Sequence, residues 1–304
     1  MVTGIINIYK EKGFTSFDVV AKMRGIFHQK KIGHTGTLDP DAEGVLPVCL
    51  GKATRVCDML TDKDKEYRAV LLLGKMTTTQ DISGEILKEA EVDVTKEQVV
   101  ETIKSFIGES EQIPPMYSAL KVNGQKLVDL ARKGITVERK ARPITIYDIK
   151  IEKVDLPRVE MTVSCSKGTY IRTICNDIGE KLGCYGCMES LVRTKAAGFK
   201  IENAIKLSDL EKIVQNNEAS KVINPIDSVL GGFPKIVASE NAQKFVRNGN
   251  KLIMEEISFE DNRSVDLEDE TIQYRLYDYK GDFIGIYRFL TETKEFKPVK
   301  LFME

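Results

Sequence analysis

The stretch most able to do chemistry is Gly33-His34-Thr35-Gly36-Thr37-Leu38-Asp39-Pro40, followed by Ala42, Gly44 and Leu46. Glycines on either side of a histidine and a hydroxyl allow a ligand to approach the backbone closely, and Asp39 supplies a carboxylate to act on it. Taken alone, Asp39-Pro40 equally fits a turn or a helix cap, and His34 equally fits a residue that orders its own loop. A second pattern, Cys184-Tyr185-Gly186-Cys187, is a CxxC that could suggest redox chemistry or half a zinc site. It has no second pair, and His28 and His34 are the two histidines of the chain, so reduced thiols and no metal are expected. No glycine-rich loop of the Walker type occurs, which argues against a nucleotide cofactor.

These residues need elements to place them. The segment Lys31 to Pro40, broken by Gly33, Gly36 and Asp-Pro, predicts a shaped loop rather than helix or central strand. Before it, residues 4–9 read as a strand and a helix starts near Thr15 or Ser16, with Phe17, Val20, Met23 and Phe27 spaced as a core-facing stripe. After it come the apolar run Val45 to Leu50, a helix from Lys52 to Leu60 and a strand from Tyr67 to Leu73. Thr95 and Gln98 form a capping box for a helix over 96–107 that turns Val99, Val100, Ile103 and Phe106 inward. Ile144 to Val154 and Val159 to Cys165 alternate as two antiparallel strands around Leu156-Pro157, and a helix from Tyr170 to Leu182 stops at Gly183. Proline and paired glycines between Asn224 and Pro234 predict a linker, followed by a hairpin of Ile272 to Tyr277 and Phe283 to Leu290.

With 304 residues the chain suits two domains, at 1–230 and 231–304, the second mostly β. Apolar residues at 42% and charged residues at 30%, well mixed, fit a globular protein. No window approaches the roughly 20 apolar residues of a membrane span, and the N-terminal residues lack the pattern of a secretory signal, so the expected place is the cytoplasm and no membrane partner is expected. Six scattered cysteines make no disulfide framework. The net charge of −1 hides a dipole: residues 121–200 carry 16 basic against 9 acidic side chains, and residues 201–304 carry 14 against 19. The densest basic run, Lys121 to Arg142, fits either a solvated face or a phosphate-binding arm.

Several blocks in order resemble one family, the bacterial tRNA pseudouridine synthases that act on the T-loop uridine at tRNA position 55. They are Gly4 and Lys10, Gly13-Phe14-Thr15-Ser16, the Gly33 to Leu46 block, Gln112 to Lys121, Cys165 to Arg172, and Leu191-Val192-Arg193-Thr194 to Phe199. The resemblance implies an α+β fold with a mixed or antiparallel central sheet and a small, mostly β C-terminal domain of the PUA type that binds RNA. It implies that Asp39 is the catalytic carboxylate and that Arg172 pairs with it in a bidentate fork and keeps it ionised. Tyr67 would be catalytic, stacking on the target base and helping to move the C5 proton, Tyr170 and Leu191 would line the uracil pocket, and His34 would fill the place the extruded base leaves. The basic run, with Lys121, Arg132 and Arg142, would close over the RNA. The implied protein is a monomeric isomerase without metal or organic cofactor, whose partner is tRNA at the T-arm and elbow.

The sequence departs from the family's pattern at Glu11, where proline is common, at Thr78, where aspartate is usual, at Val128 and at Cys187. Two other readings compete with the isomerase. One is a tRNA-folding chaperone that needs no catalysis, and the other is a guide-RNA-dependent synthase within a larger particle. A pure binder has no need of Asp39 and Arg172 together, and the basic insertion suits a protein that grips RNA by itself.

Overall fold

A computed structural model describes residues 1–260 and 266–303. Its larger sheet runs in the order Gly4–Lys10, Glu43–Leu50, Gly186–Ala196, Lys65–Leu73, Arg158–Cys165, Arg142–Asp155 and Gly108–Gln112. Neighbours are antiparallel except for Glu43–Leu50 and Gly186–Ala196, which pair parallel at Val192 with Glu43 and Arg193 with Gly44. That parallel junction brings together the strand that leaves the Asp39 loop and the strand that carries Leu191 and Arg193. Gly44 is required there, because a Cβ on it would overlap the Arg193 backbone.

One face of this sheet buries Tyr67, Ala69 and Leu71 against helix Ile171–Lys181, through Ile171, Ile174, Cys175 and Ile178, and against Val99 and Ile103 of helix Lys96–Lys104. Elsewhere Ile6, Ile8, Leu46 and Val48 pack against helix Ser16–Phe27 and Leu207 and Leu210 of helix Leu207–Gln215. The C-terminal sheet, in the order Leu252–Ile253, Glu295–Leu301, Phe283–Leu290, Gln273–Tyr277, Lys235–Ala238 and Ile257–Phe259, has its own core of Ile236, Tyr274, Tyr287 and Phe296. The expected α+β class, with a mixed central sheet and a mostly β C-terminal unit, is the architecture found.

Particular elements differ from their predictions. Phe17 is 68% exposed, and the buried positions of its helix are Ser16, Val19, Val20 and Met23. The stripe is rotated because Ser16, a polar residue, turns inward to bind the backbone of Leu38. The helix expected over Lys52 to Leu60 begins as a 3-10 turn, Gly51–Val56, in which Thr54 Oγ1 donates to the Gly51 carbonyl, and becomes α-helical over Cys57–Thr61. Strand Gly186–Ala196 escaped prediction because register shifts between Met188 and Ser190 and between Arg193 and Lys195 break its alternation. The stretch taken as a linker is packed: Ile226 and Leu230 join Ile5, Cys49, Val56, Ile286 and Phe302 in a core shared by both sheets.

The helix that carries Arg172 is seated by the meeting of two glycines. A Cβ on Gly179 would fall inside the backbone of Tyr185 and Gly186. In an open helix a Gly→Ala change stabilises by about 1 kcal/mol. Here overpacking is expected to outweigh that gain, giving Gly179→Ala a net loss of about 1–3 kcal/mol. Urea unfolding would show a lower midpoint at unchanged slope; a midpoint at or above the wild type would mean that the helix is not seated this way.

Candidate active site

Asp39 stands in the loop between Ile32–His34 and Glu43–Leu50, and four side chains clasp that loop by its backbone or to its neighbours. Thr35 donates its N–H and its hydroxyl to the Pro47 carbonyl at 3.2 and 3.1 Å. The Leu38 N–H donates to Ser16 Oγ at 2.9 Å. Lys10, fully buried, donates its ammonium to the carbonyls of Ala42 at 2.6 Å and of Glu11 and Pro40 at 3.2 Å. Burial pulls that ammonium down to about 8, against Glu43, Asp39 and Asp41, which favour its charge. Arg193, 1% exposed, donates Nε to the Val45 carbonyl at 2.7 Å and Nη2 to that of Gly36 at 3.3 Å.

Arg172 is the second residue of its helix and is buried. Its Nη2 lies 3.1 Å from Asp39 Oδ2 and 3.3 Å from Oδ1, and donates to the Tyr117 carbonyl at 2.8 Å, while Nη1 lies 3.6 Å from Asp81 Oδ2. The expected bidentate fork on Asp39 is therefore not formed. One guanidinium nitrogen serves both Asp39 oxygens, because the other is turned towards a second carboxylate. Asp81 Oδ1 in turn accepts from Thr79 Oγ1 at 2.7 Å and from the N–H and hydroxyl of Ser83 at 3.1 and 2.5 Å. The start of the helix is fixed by Gln112, whose Oε1 accepts from the Tyr170 N–H at 2.8 Å and whose Nε2 donates to the Tyr170 carbonyl at 3.1 Å.

Burial pushes the Asp39 carboxyl above its ordinary range; Arg172 and Lys10 pull it back, and Asp81 and Asp41 push it further up. Arg172 thus works against the desolvation that raises the Asp39 carboxyl. Tyr67, opposite Val163 and Arg193 in the sheet, has its hydroxyl raised by burial and drawn down by the Arg193 guanidinium.

Asp39, Tyr67, Arg142, Tyr170, Arg172 and Leu191 line one cleft of about 640 Å³. Leu38, Ile144, Ile171, Met188 and Leu191 give it the apolar surface a flat base needs. His34, Lys121 and Arg132 do not line the cleft. His34 ends its short strand, with Nδ1 accepting the Gly36 N–H at 3.2 Å. Lys121 lies in the hairpin of Lys121–Val122 with Gln125–Lys126, and Arg132 caps the short helix Leu127–Ala131; both are exposed. Cys184 and Cys187 are buried free thiols at the start of a strand. Among the described residues no group of three or more His, Cys, Asp or Glu side chains could hold a metal ion.

Sequence reasoning assigned no role to Lys10, Ser16, Asp81, Gln112 or Arg193. All but Asp81 lie inside the blocks that carried the resemblance, so the blocks marked them. Their functions depend on partners far along the chain, which spacing does not reveal.

Residues 24–171 match the family model described as TruB family pseudouridylate synthase, N-terminal domain, and residues 172–231 that of the tRNA pseudouridylate synthase B C-terminal domain. The tRNA pseudouridine synthase B of Lachnoclostridium phytofermentans is 50% identical over 313 residues, covering 99% of this chain and all of that protein. That of Clostridium perfringens strain SM101 is 47% identical over 309 residues and covers both chains fully. Among solved structures, an H/ACA RNP bound to a substrate RNA containing 2′-deoxyuridine superposes with a TM-score of 0.75 at 26% identity, and a Cbf5–Nop10–Gar1 complex with 0.75 at 28%. Each alignment covers 99% of this chain and 85% of the other. Matched by family models over most of its length and by relatives at about half identity from end to end, the chain belongs to the TruB family of pseudouridylate synthases.

Proposed function

We propose that this chain isomerises the T-loop uridine at position 55 of tRNA to pseudouridine, with Asp39 as the catalytic carboxylate. Conversion of uridine to pseudouridine in tRNA is the activity its family and its full-length relatives support. The observation that carries the assignment within the chain is the Asp39 carboxylate held at 3.1 Å by a buried arginine in a largely apolar cleft.

The reaction breaks N1–C1′ and forms C5–C1′, with loss of the C5 proton and gain of one at N1. Asp39 acts on the sugar, as a nucleophile at C1′ or by assisting a glycal, while the detached base stays bound. Tyr67 and Tyr170 offer rings to hold the base as it turns, and Leu191 and Ile144 limit how far it moves. Arg172 positions Asp39 and offsets its desolvation, and Asp81 positions Arg172. The target base must leave its stack to reach the cleft, at a cost on the order of a few kcal/mol. His34 beside the catalytic loop suits the place it vacates. Lys121, Arg132 and Arg142 supply phosphate-directed charge.

The catalytic part is assigned to 1–230, with its basic insertion at 121–142, and the part from 231 onwards to contact with the tRNA outside the T-arm. The protein is taken to act as a monomer. The chaperone reading leaves the Arg172–Asp39–Asp81 arrangement without a purpose, because a binder gains nothing from burying these charges. A guide-dependent role is disfavoured by the 45–50% identity to proteins named tRNA pseudouridine synthase B, against 26–28% to the H/ACA proteins.

With a T-arm stem-loop carrying tritium at C5 of the target uridine, the wild type is expected to release tritium, and Asp39→Ala to release none at equal RNA occupancy. Tight binding by both proteins without release by either would overturn the isomerase assignment. Arg172→Lys, which keeps the charge but cannot span Asp39 and Asp81, is expected to lower kcat on the order of 100-fold with little change in KM. A KM effect alone would make Arg172 a substrate-binding group instead.

The pH dependence has a defined sign. Only the ionised carboxylate acts, so the rate falls as pH drops through a pKa set above that of an ordinary aspartate. Removing a positive neighbour raises that pKa, and removing a negative one lowers it. The acid limb of single-turnover rate is therefore expected to move to higher pH in Arg172→Gln and to lower pH in Asp81→Asn. Limbs that coincide with the wild type in both variants would show that Asp39 is not the titrating group.

A further inference from the structure

Phe17 is out of keeping with its surroundings. It occupies the second position of helix Ser16–Phe27, next to Ser16, which pins the catalytic loop, yet 68% of it is exposed. No part of its ring lines the cleft. Among the described residues its one ring contact is a T-shaped one with His34, with centroids 5.4 Å apart and planes at 89°. A T-shaped contact of this kind covers at most one face of the phenyl ring. His34 is itself oriented, since Nδ1 accepts the Gly36 N–H, and burial and Arg193 push its pKa down, so the pair is a neutral aromatic corner. Lys22, five residues further along the same helix, sits 4.6 Å over the ring of Phe14. The acid beside Phe17, Asp18, is committed to its own helix end, where it accepts from the N–H and hydroxyl of Thr15.

An exposed aromatic packed against His34, beside the loop that bears Asp39 and would act on a flipped nucleotide, has the makings of a stacking platform for an unpaired base. We propose that Phe17 is an RNA-binding residue, whose ring stacks on an unpaired base of the substrate loop that stays outside the cleft while the target uridine is within. This rests on the RNA-modifying reading above and adds a contact that the cleft does not contain. Phe17 fixes affinity and loop recognition; it takes no part in the bond changes.

Binding of the T-arm stem-loop is measured by fluorescence anisotropy for the wild type, Phe17→Ala, Phe17→Leu and Phe17→Tyr, together with single-turnover tritium release at saturating RNA. Loss of a base–aromatic stack is expected to raise Kd about 5- to 100-fold in Phe17→Ala. Phe17→Leu, which keeps apolar bulk without a ring, should resemble Phe17→Ala, and Phe17→Tyr should bind within about two-fold of the wild type. The slope of log Kd against log salt should stay that of the wild type, because no phosphate contact is lost. Saturated rates should remain within about two-fold, and thermal midpoints should not move.

A wild-type Kd in Phe17→Ala or in Phe17→Leu overturns the proposal. So does a slower saturated rate at unchanged Kd, which would mean that Phe17 acts by supporting His34. Failure of the wild type to release tritium would defeat the isomerase assignment separately, and the binding comparison would still decide the role of Phe17.

Discussion

A guanidinium buried between two carboxylates is the interaction on which the molecule turns. Arg172 is 6% exposed and meets Asp39 and Asp81 at 3.1 and 3.6 Å. Taking one cation and two anions from water is costly, and Coulomb attraction repays it only where the remaining lone pairs and donors are satisfied. The structure meets that condition: Asp81 has Thr79 and Ser83 on its far oxygen, and Arg172 has the Tyr117 carbonyl. Asp39 alone keeps capacity for a partner from outside.

Keeping that arrangement in register falls to backbone contacts rather than to side-chain packing around the carboxylate. Ser16, Lys10 and Arg193 reach the catalytic loop from three separate elements and bind its carbonyls and amides. Such clasps fix the path of the main chain while leaving the Asp39 side chain facing the cleft, which suits a site that must admit a whole nucleotide. The sheet beneath serves the same end. Its parallel junction at Gly44 and Arg193 sets the loop's exit beside the strand that carries Leu191 and faces Tyr67.

Much of this was legible in the sequence where the determinants are local. The Thr15 and Thr95 capping boxes, the strands around Leu156-Pro157, the helix that starts after Tyr170 and the C-terminal hairpin all follow from patterns within a dozen residues. Six of the nine proposed site residues come together in one cleft, led there by motif rather than by periodicity. What stayed hidden was whatever depends on a distant partner. Phe17 left the core stripe because Ser16 is needed inward. The strand Gly186–Ala196 hid behind two register shifts. Arg172 divided its nitrogens because Asp81, in a block that departs from the family pattern, lies opposite. The presumed linker turned out to carry Ile226 and Leu230 into a shared core.

Those distant partners also set an order of events in the life of the chain. Arg172 bonds Asp39 across 133 residues, Arg193 reaches Gly36 and Val45 across 157 and 148, and Asn224 pairs with Ile5 across 219. During synthesis the loop that bears Asp39 emerges early and has only the nearby clasps of Lys10, Ser16 and Thr35 until residue 193 has left the ribosome. The first strand keeps a bare edge until Ile205 and then Asn224 arrive to pair with it. Contacts of this span make folding slow and leave apolar surface open meanwhile. A chain that ends before Arg172 therefore holds a carboxylate with no arginine beside it and only part of the cleft around it.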